Sequence, residues 1–188
     1  MFRILIIFLI LNFYSLAHSK TKEKIISQMK LVNNLSFNFI QTIDNKIENG
    51  KCIIKYPKKI WCEYDNSKKK IIVSNGRSLV IKNRNSGSYY IYPLKKTALI
   101  FLLDKEYLIS KMNVLKPREV DNKYVNFTIL EQNNKINIFF DKENLSLVGW
   151  QTEDIYQNLV VTFISSVEVN QNINNKIFIL PANNWAFI

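Results

Sequence analysis

The chain has 188 residues, enough for one domain with a sizeable core; 47% of them are hydrophobic and the formal net charge is +11. Its lysines are scattered, with Lys68-Lys69-Lys70 the longest run, so no continuous basic and aromatic stripe argues for nucleic acid. An acidic partner or an anionic lipid surface fits that charge better.

Arg3 is followed by a mostly apolar stretch from Ile4 to Leu16 and then by Ala17-His18-Ser19. This predicts a secretory signal peptide over residues 1–19, cut before Lys20, because the apolar run is short for a membrane span and small residues precede the cut. No cysteine follows to carry a lipid. The expected mature protein is a single domain, residues 20–188, outside the cytoplasm. The only histidine, His18, lies in the leader. Its loss excludes Ser-His-Asp and Cys-His catalysis and HExxH metal sites.

From Lys20 to Asn34, Ile25, Ile26, Met29 and Val32 recur at spacings of three and four, which predicts an amphipathic helix with Thr21 as a possible N-cap. Leu35 to Ile43 then alternates, with Phe37, Phe39 and Gln41 on one face of a strand. Residues Gly50 to Lys82 hold four short apolar runs, CIIKY, IWCEY, KIIVS and SLVIK. They are separated by Pro57-Lys58, by the polar cluster Asp65 to Lys69 and by Asn75-Gly76, which reads as an antiparallel meander. Adjacent apolar pairs such as Ile53-Ile54, Ile71-Ile72 and Leu79-Val80 give this sheet apolar groups on both faces. Something else must cover one of them.

A strand at Tyr89 to Tyr92 ends at Pro93. Thr97 to Leu103 (TALIFLL) and Asp104 to Met112 (DKEYLISKM) then predict one or two short helices inserted into an otherwise β chain. Strands resume at Tyr124 to Leu130, Lys135 to Phe140, Leu147 to Glu153 and Leu159 to Val169, and a short one is expected at Ile177 to Leu180. The total is about eleven. Glycine is scarce, at four residues, and asparagine takes its place at turns such as Asp44-Asn45 because it tolerates positive φ.

Equipment for chemistry is sparse. There is no glycine-rich phosphate loop, and neighbouring carboxylates such as Glu153-Asp154 point to opposite faces of a strand. Cys52 and Cys62 lie on consecutive strands either side of Tyr56-Pro57-Lys58. They face each other only if paired residues sum to 114, and a one-residue slip separates them into two small packing residues. Without histidine they make a poor zinc site. No metal, cofactor or enzymatic activity is expected.

The order of these segments resembles the LolA family, periplasmic carriers of outer-membrane lipoproteins. The likeness rests on the leading helix, on LSFNFIQT at Leu35 to Thr42, and on Gly50 and Pro57 with six residues between them and aromatic residues after. IVSNGRSLVIK at Ile72 to Lys82 is similar to the family's I-V-S-D-G-K-x-L-W-x-Y run. The resemblance implies a mainly β (α+β) fold, an open, incomplete antiparallel β-barrel whose concave face is capped by helices, with a helical lid near residues 95–112. It implies a monomeric carrier that takes lipoproteins from an inner-membrane ATP-driven release complex and gives them to an outer-membrane acceptor. Acyl chains would meet Phe37, Phe39, Ile54 and Ile60 from the sheet and Leu99, Ile100, Leu102 and Leu103 from the lid. The family commonly has Arg before the proline, bonding to lid backbone; here Tyr56 stands there, with Lys55 beside it. Two other functions compete: an envelope-stress sensor of lipid or lipoprotein on a related half-barrel, and a periplasmic hydrolase using carboxylates.

Overall fold

The computed structural model describes residues 20–65, 69–131, 134–154 and 157–181; the expected leader lies outside them. Helix α1 (residues 20–31) precedes β1 (Asn34–Ile43), β2 (Lys46–Lys55), β3 (Lys59–Tyr64), β4 (Lys70–Asn75), β5 (Ser78–Asn83) and β6 (Tyr89–Pro93). A 3-10 turn (Leu94–Lys96), α2 (Leu99–Leu103) and α3 (Lys105–Val114) follow. The chain then returns through β7 (Arg118–Val120), β8 (Tyr124–Glu131), β9 (Asn134–Asp141), β10 (Leu147–Glu153) and β11 (Leu159–Val169). Lys20 and Thr21 are already helical, so Thr21 is not an N-cap.

All eleven strands form one antiparallel sheet in the order β6-β5-β4-β3-β2-β1-β11-β10-β9-β8-β7. Two meanders are joined where β1 pairs with β11, and the edge strands β6 and β7 do not pair, so the barrel stays open. Turn chemistry fixes the registers. Ile43 pairs with Lys46 across Asp44 and Asn45, whose φ values of 47° and 64° make the primed turn that suits a two-residue hairpin. Between β4 and β5, Gly76 at φ 100° occupies the first central position, and Asn75 Oδ1 accepts from the backbone N–H groups of Arg77 and Ser78.

One expected strand is absent. Residues Asn175–Phe178 form a 3-10 turn, because Asn174 caps it by accepting from the N–H of Lys176 and the segment has left the ladder at Asn170. The count of eleven is made up by the three-residue β7, too short to carry a periodic signal.

The two faces of the sheet are covered differently. On the inner face Leu35, Phe37, Phe39, Ile54, Ile138 and Phe140 join Ile25 and Ile26 of α1 and Leu103, Leu108 and Met112 of the insertion in one buried core. On the outer face Ile53, Trp61, Val73, Val80 and Ile91 pair in register across five strands, a continuous apolar row. Val73 and Val80 are buried there, and the 3-10 turn with its buried Phe178 packs on β3 and β4. The C-terminal segment is thus a strap. Asn170 and Gln171 anchor it at the α1–β1 junction, where Asn170 Nδ2 donates to the last helical carbonyl, Leu31 O, and Gln171 bonds to Asn34.

Candidate functional site: an apolar cavity between sheet and helices

The helices do not fill the inner face. They leave a cavity of about 520 Å³, within the usual range for small-ligand sites. Phe39, Ile60, Leu79 and Trp150 line it on the sheet side, and Ala98 and Leu99 of the insertion close the opposite side. The cysteines belong to its wall. Cys52 pairs with Cys62 in the β2–β3 ladder, the sum-to-114 register, and the sulfurs are bonded at 1.99 Å. Along β1 the lining runs from buried Phe39 to half-buried Gln41 and Ile43, so the cavity opens toward the end of β1. The charged groups Lys70, Glu153 and Asp154 lie at that end, since Lys70 pairs with Glu48 opposite Gln41 and Glu153 adjoins the row of Ile43.

One polar band crosses this apolar wall. The Tyr64 hydroxyl donates to Gln41 Oε1 at 3.2 Å, and Gln41 Nε2 donates to Thr162 Oγ1 at 3.0 Å. Burial, reinforced by the Glu48 carboxylate, pushes the Tyr64 hydroxyl well above its ordinary pKa and keeps it a donor. Lys70 lies 3.7 Å over the Tyr64 ring and is ion-paired with Glu48.

The insertion is anchored at the α2–α3 junction. The backbone N–H of Lys58 donates to Leu103 O at 2.8 Å, while Lys58 Nζ lies 3.0 Å from Asp104 Oδ2. Lys58 is held for this by the β2–β3 turn, with a cis Tyr56-Pro57 bond and φ 65° at Lys58, and its own carbonyl accepts from Ser74 Oγ. Asp104 also caps α3 by accepting from the N–H of Tyr107. Lys105 Nζ reaches the end of α1, donating to Lys30 O and Val32 O. At the far side Lys111 Nζ and the Tyr107 hydroxyl both bond to Glu131 Oε2 of β8.

Asp104→Ala removes both the cap and the ion pair, so it is expected to cost about 1–2 kcal/mol, whereas Asp104→Asn keeps the cap and costs less than about 1 kcal/mol. Urea denaturation of the two variants distinguishes them; equal losses would refute the capping role.

Alkaline lability follows from burial. Tyr56 is pushed up to about 12 by desolvation. Its folded value lies above the unfolded one near 10, so its contribution is complete below pH 10 and is lost as pH rises through about 12. Urea midpoints are expected to fall between pH 10 and 12, and by less in Tyr56→Phe, which cannot ionise. The same fall in both proteins would contradict the assignment.

No protein of curated function matches this sequence. The family model described as "Outer membrane lipoprotein carrier protein LolA" matches residues 30–180, which span every strand and the helical insertion. The chain belongs to the LolA family. Solved structures similar to it include a LolA superfamily protein from Nitrosomonas europaea, 11% identical, with 86% of this chain and 96% of that one covered at a TM-score of 0.47. A domain assigned to outer-membrane lipoprotein sorting from Vibrio parahaemolyticus is 9% identical, covering 82% and 94% at 0.48. The Pseudomonas aeruginosa MucA/MucB complex includes a chain 8% identical, covering 85% and 60% at 0.44.

Within this LolA-family chain the sequence-derived site residues divide. Phe39, Ile60 and Leu99 line the cavity. Phe37, Ile54, Leu102 and Leu103 are buried in the shared core beneath the helices, and Ile100 packs against that core half-buried. Tyr56 donates its backbone N–H to Asn33 O, and its ring lies 5.9 Å from Lys105 Nζ. It faces a second hollow, about 310 Å³, between α1 and the β9–β10 turn. Lys55 points to the outer face and donates to Asn175 Oδ1 at 2.8 Å. The bonds from this turn to the insertion come from Lys58, which sequence reading missed. Among the described residues no group of three or more His, Cys, Asp and Glu could hold a metal, and no helix is long and apolar enough to cross a membrane.

Proposed function

We propose that this LolA-family protein is a periplasmic carrier, reached through a cleaved signal peptide, that shelters the acyl chains of lipoproteins released from the inner membrane. It would take them from an ATP-driven release complex and deliver them to an outer-membrane acceptor. The observation that carries this reading is the apolar cavity, roofed by a helical insertion that packs into the core through Leu103, Leu108 and Met112 and is tied at the α2–α3 junction by polar contacts. An acyl chain of about sixteen carbons exposes on the order of 12 kcal/mol of unfavourable apolar surface at about 0.8 kcal/mol per methylene. It cannot cross an aqueous gap unprotected.

The same arithmetic limits the carrier. A site that recovered the whole of that free energy would never release its cargo, so opening the roof must cost something that binding offsets. Lys58, Asp104 and Lys105 are suited to set that cost. They hold the junction of α2 and α3 by hydrogen bonds to the Leu103, Lys30 and Val32 carbonyls and by a partly exposed ion pair, contacts each worth about 1 kcal/mol or less. They stand in for an Arg latch, since the residue before the proline is Tyr56.

Gel filtration of the protein with a lipoprotein and with the same protein stripped of its acyl chains tests this. Co-elution with the acylated form alone is the expected result. Co-elution with both would favour a sensor of protein segments, and co-elution with neither would remove the carrier reading.

A further inference from the structure

The cavity wall contains a polar side chain that pairs with nothing among the described residues. Thr152 on β10 lines the cavity, is 6% exposed, and has no hydrogen-bond partner among the described residues. Every fully buried side-chain nitrogen and oxygen among the described residues has a partner, so the Thr152 hydroxyl, which has none, opens onto the cavity rather than into the sealed core.

Its neighbours strengthen the point. Thr152 pairs with Val160 on β11, and Thr162, two residues along, is on the same face and opposite Gln41 of β1. Thr162, Gln41 and Tyr64 form the hydrogen-bonded band already described. The Tyr64 hydroxyl has one hydrogen and gives it to Gln41 Oε1, which fixes the orientation of the Gln41 amide. One hydrogen of Gln41 Nε2 goes to Thr162, and the other has no acceptor among the described residues. Two donors, the Thr152 hydroxyl and the Gln41 amide, are thus uncommitted in the wall of one cavity. Deeper than the band the lining is apolar, with Phe39 and Ile60, and Trp150 is level with it opposite Thr162; beyond it come Lys70, Glu153 and Asp154.

That sequence of apolar end, two donors and charged mouth matches one chemistry. We propose that Thr152 and Gln41 bind the carbonyl oxygen of a fatty acyl ester or amide, so that the site recognises the acyl linkage as well as the hydrocarbon. This rests on the carrier reading and deepens it. A carbonyl at the band sets how far a chain enters, with the rest of the cargo left at the mouth. It also favours an acyl linkage over plain hydrocarbon, which offers no acceptor.

Displacement of a fluorescent apolar dye by N-methyldodecanamide and by tridecane, measured on the wild-type protein and on Thr152→Val and Thr152→Ser, tests the assignment. Comparing how each substitution changes each ligand cancels the ligands' different transfer from water. Thr152→Val is expected to weaken the amide about threefold to tenfold and to leave the alkane unchanged or slightly tighter, with Thr152→Ser restoring the amide. Equal effects of Thr152→Val on both ligands, or no effect on either, would overturn the carbonyl site and leave the carrier standing. Failure of both ligands to displace the dye from the wild-type protein would overturn the two together.

Discussion

Leu99→Glu is expected to reduce the binding of acylated cargo more than tenfold while costing the fold about 1 kcal/mol. Leu99 is half-buried, lines the cavity and is the first residue of α2. An acidic side chain is favoured in the first turn of a helix, which offsets part of the lost apolar burial. The cavity gains a polar group, whether hydrated or paired with Lys96, where an acyl chain would have to displace water from it. Leu99→Met, of similar volume, is the control and keeps binding. Dye displacement and urea denaturation on the same samples separate the effects. Binding retained in Leu99→Glu would take the insertion out of the site.

The second large effect is on stability. The bond between Cys52 and Cys62 closes a loop with a sequence separation of 10, a constraint worth about 3 kcal/mol in the loop-entropy model. Reduction of the wild-type protein and the double substitution Cys52→Ala with Cys62→Ala are both expected to lower the unfolding free energy by about that amount. The two sulfurs line the cavity, so the double variant also enlarges it. The reduced wild-type protein, with the same wall atoms, separates constraint from packing. If reduction left the unfolding free energy unchanged, the bridge would have no stabilising role.

Most of the sheet was legible because its signals are local. Val, Ile, Tyr and Trp runs between turn residues mark strands, and Asp44-Asn45 and Asn75-Gly76 mark hairpins by the φ values they permit. The adjacent apolar pairs foretold that one face needs a cover, which the helices supply; on the other the C-terminal strap packs on β3 and β4 and leaves Ile91 exposed. Ile177 to Leu180 misled because a short apolar run has no period to separate a strand from a packed turn. There the Asn174 cap and the burial of Phe178 decide the outcome.

The site was legible by face and illegible by depth. Alternation placed Phe37, Phe39 and Gln41 on one side of β1, and the structure does so too. Nothing local shows that Phe37 ends in the core while Phe39 borders a cavity, because that depends on where α2 and α3 come to rest. Lys58 was invisible as an anchor for the same reason: 46 positions separate it from Asp104, and only the folded β2–β3 turn brings them together. Thr152 carries no local signal at all; it stands apart only in the folded wall, where its hydroxyl has no partner among the described residues.

The most direct test of the carrier is transfer itself. Purified protein is added to membrane vesicles that hold a newly acylated lipoprotein and the ATP-driven release machinery, and the soluble fraction is assayed for the complex. A soluble one-to-one complex that needs ATP to form, and that deposits its lipoprotein on outer membranes without further energy, is the predicted result. Lipoprotein that stays wholly with the vesicles would contradict the account.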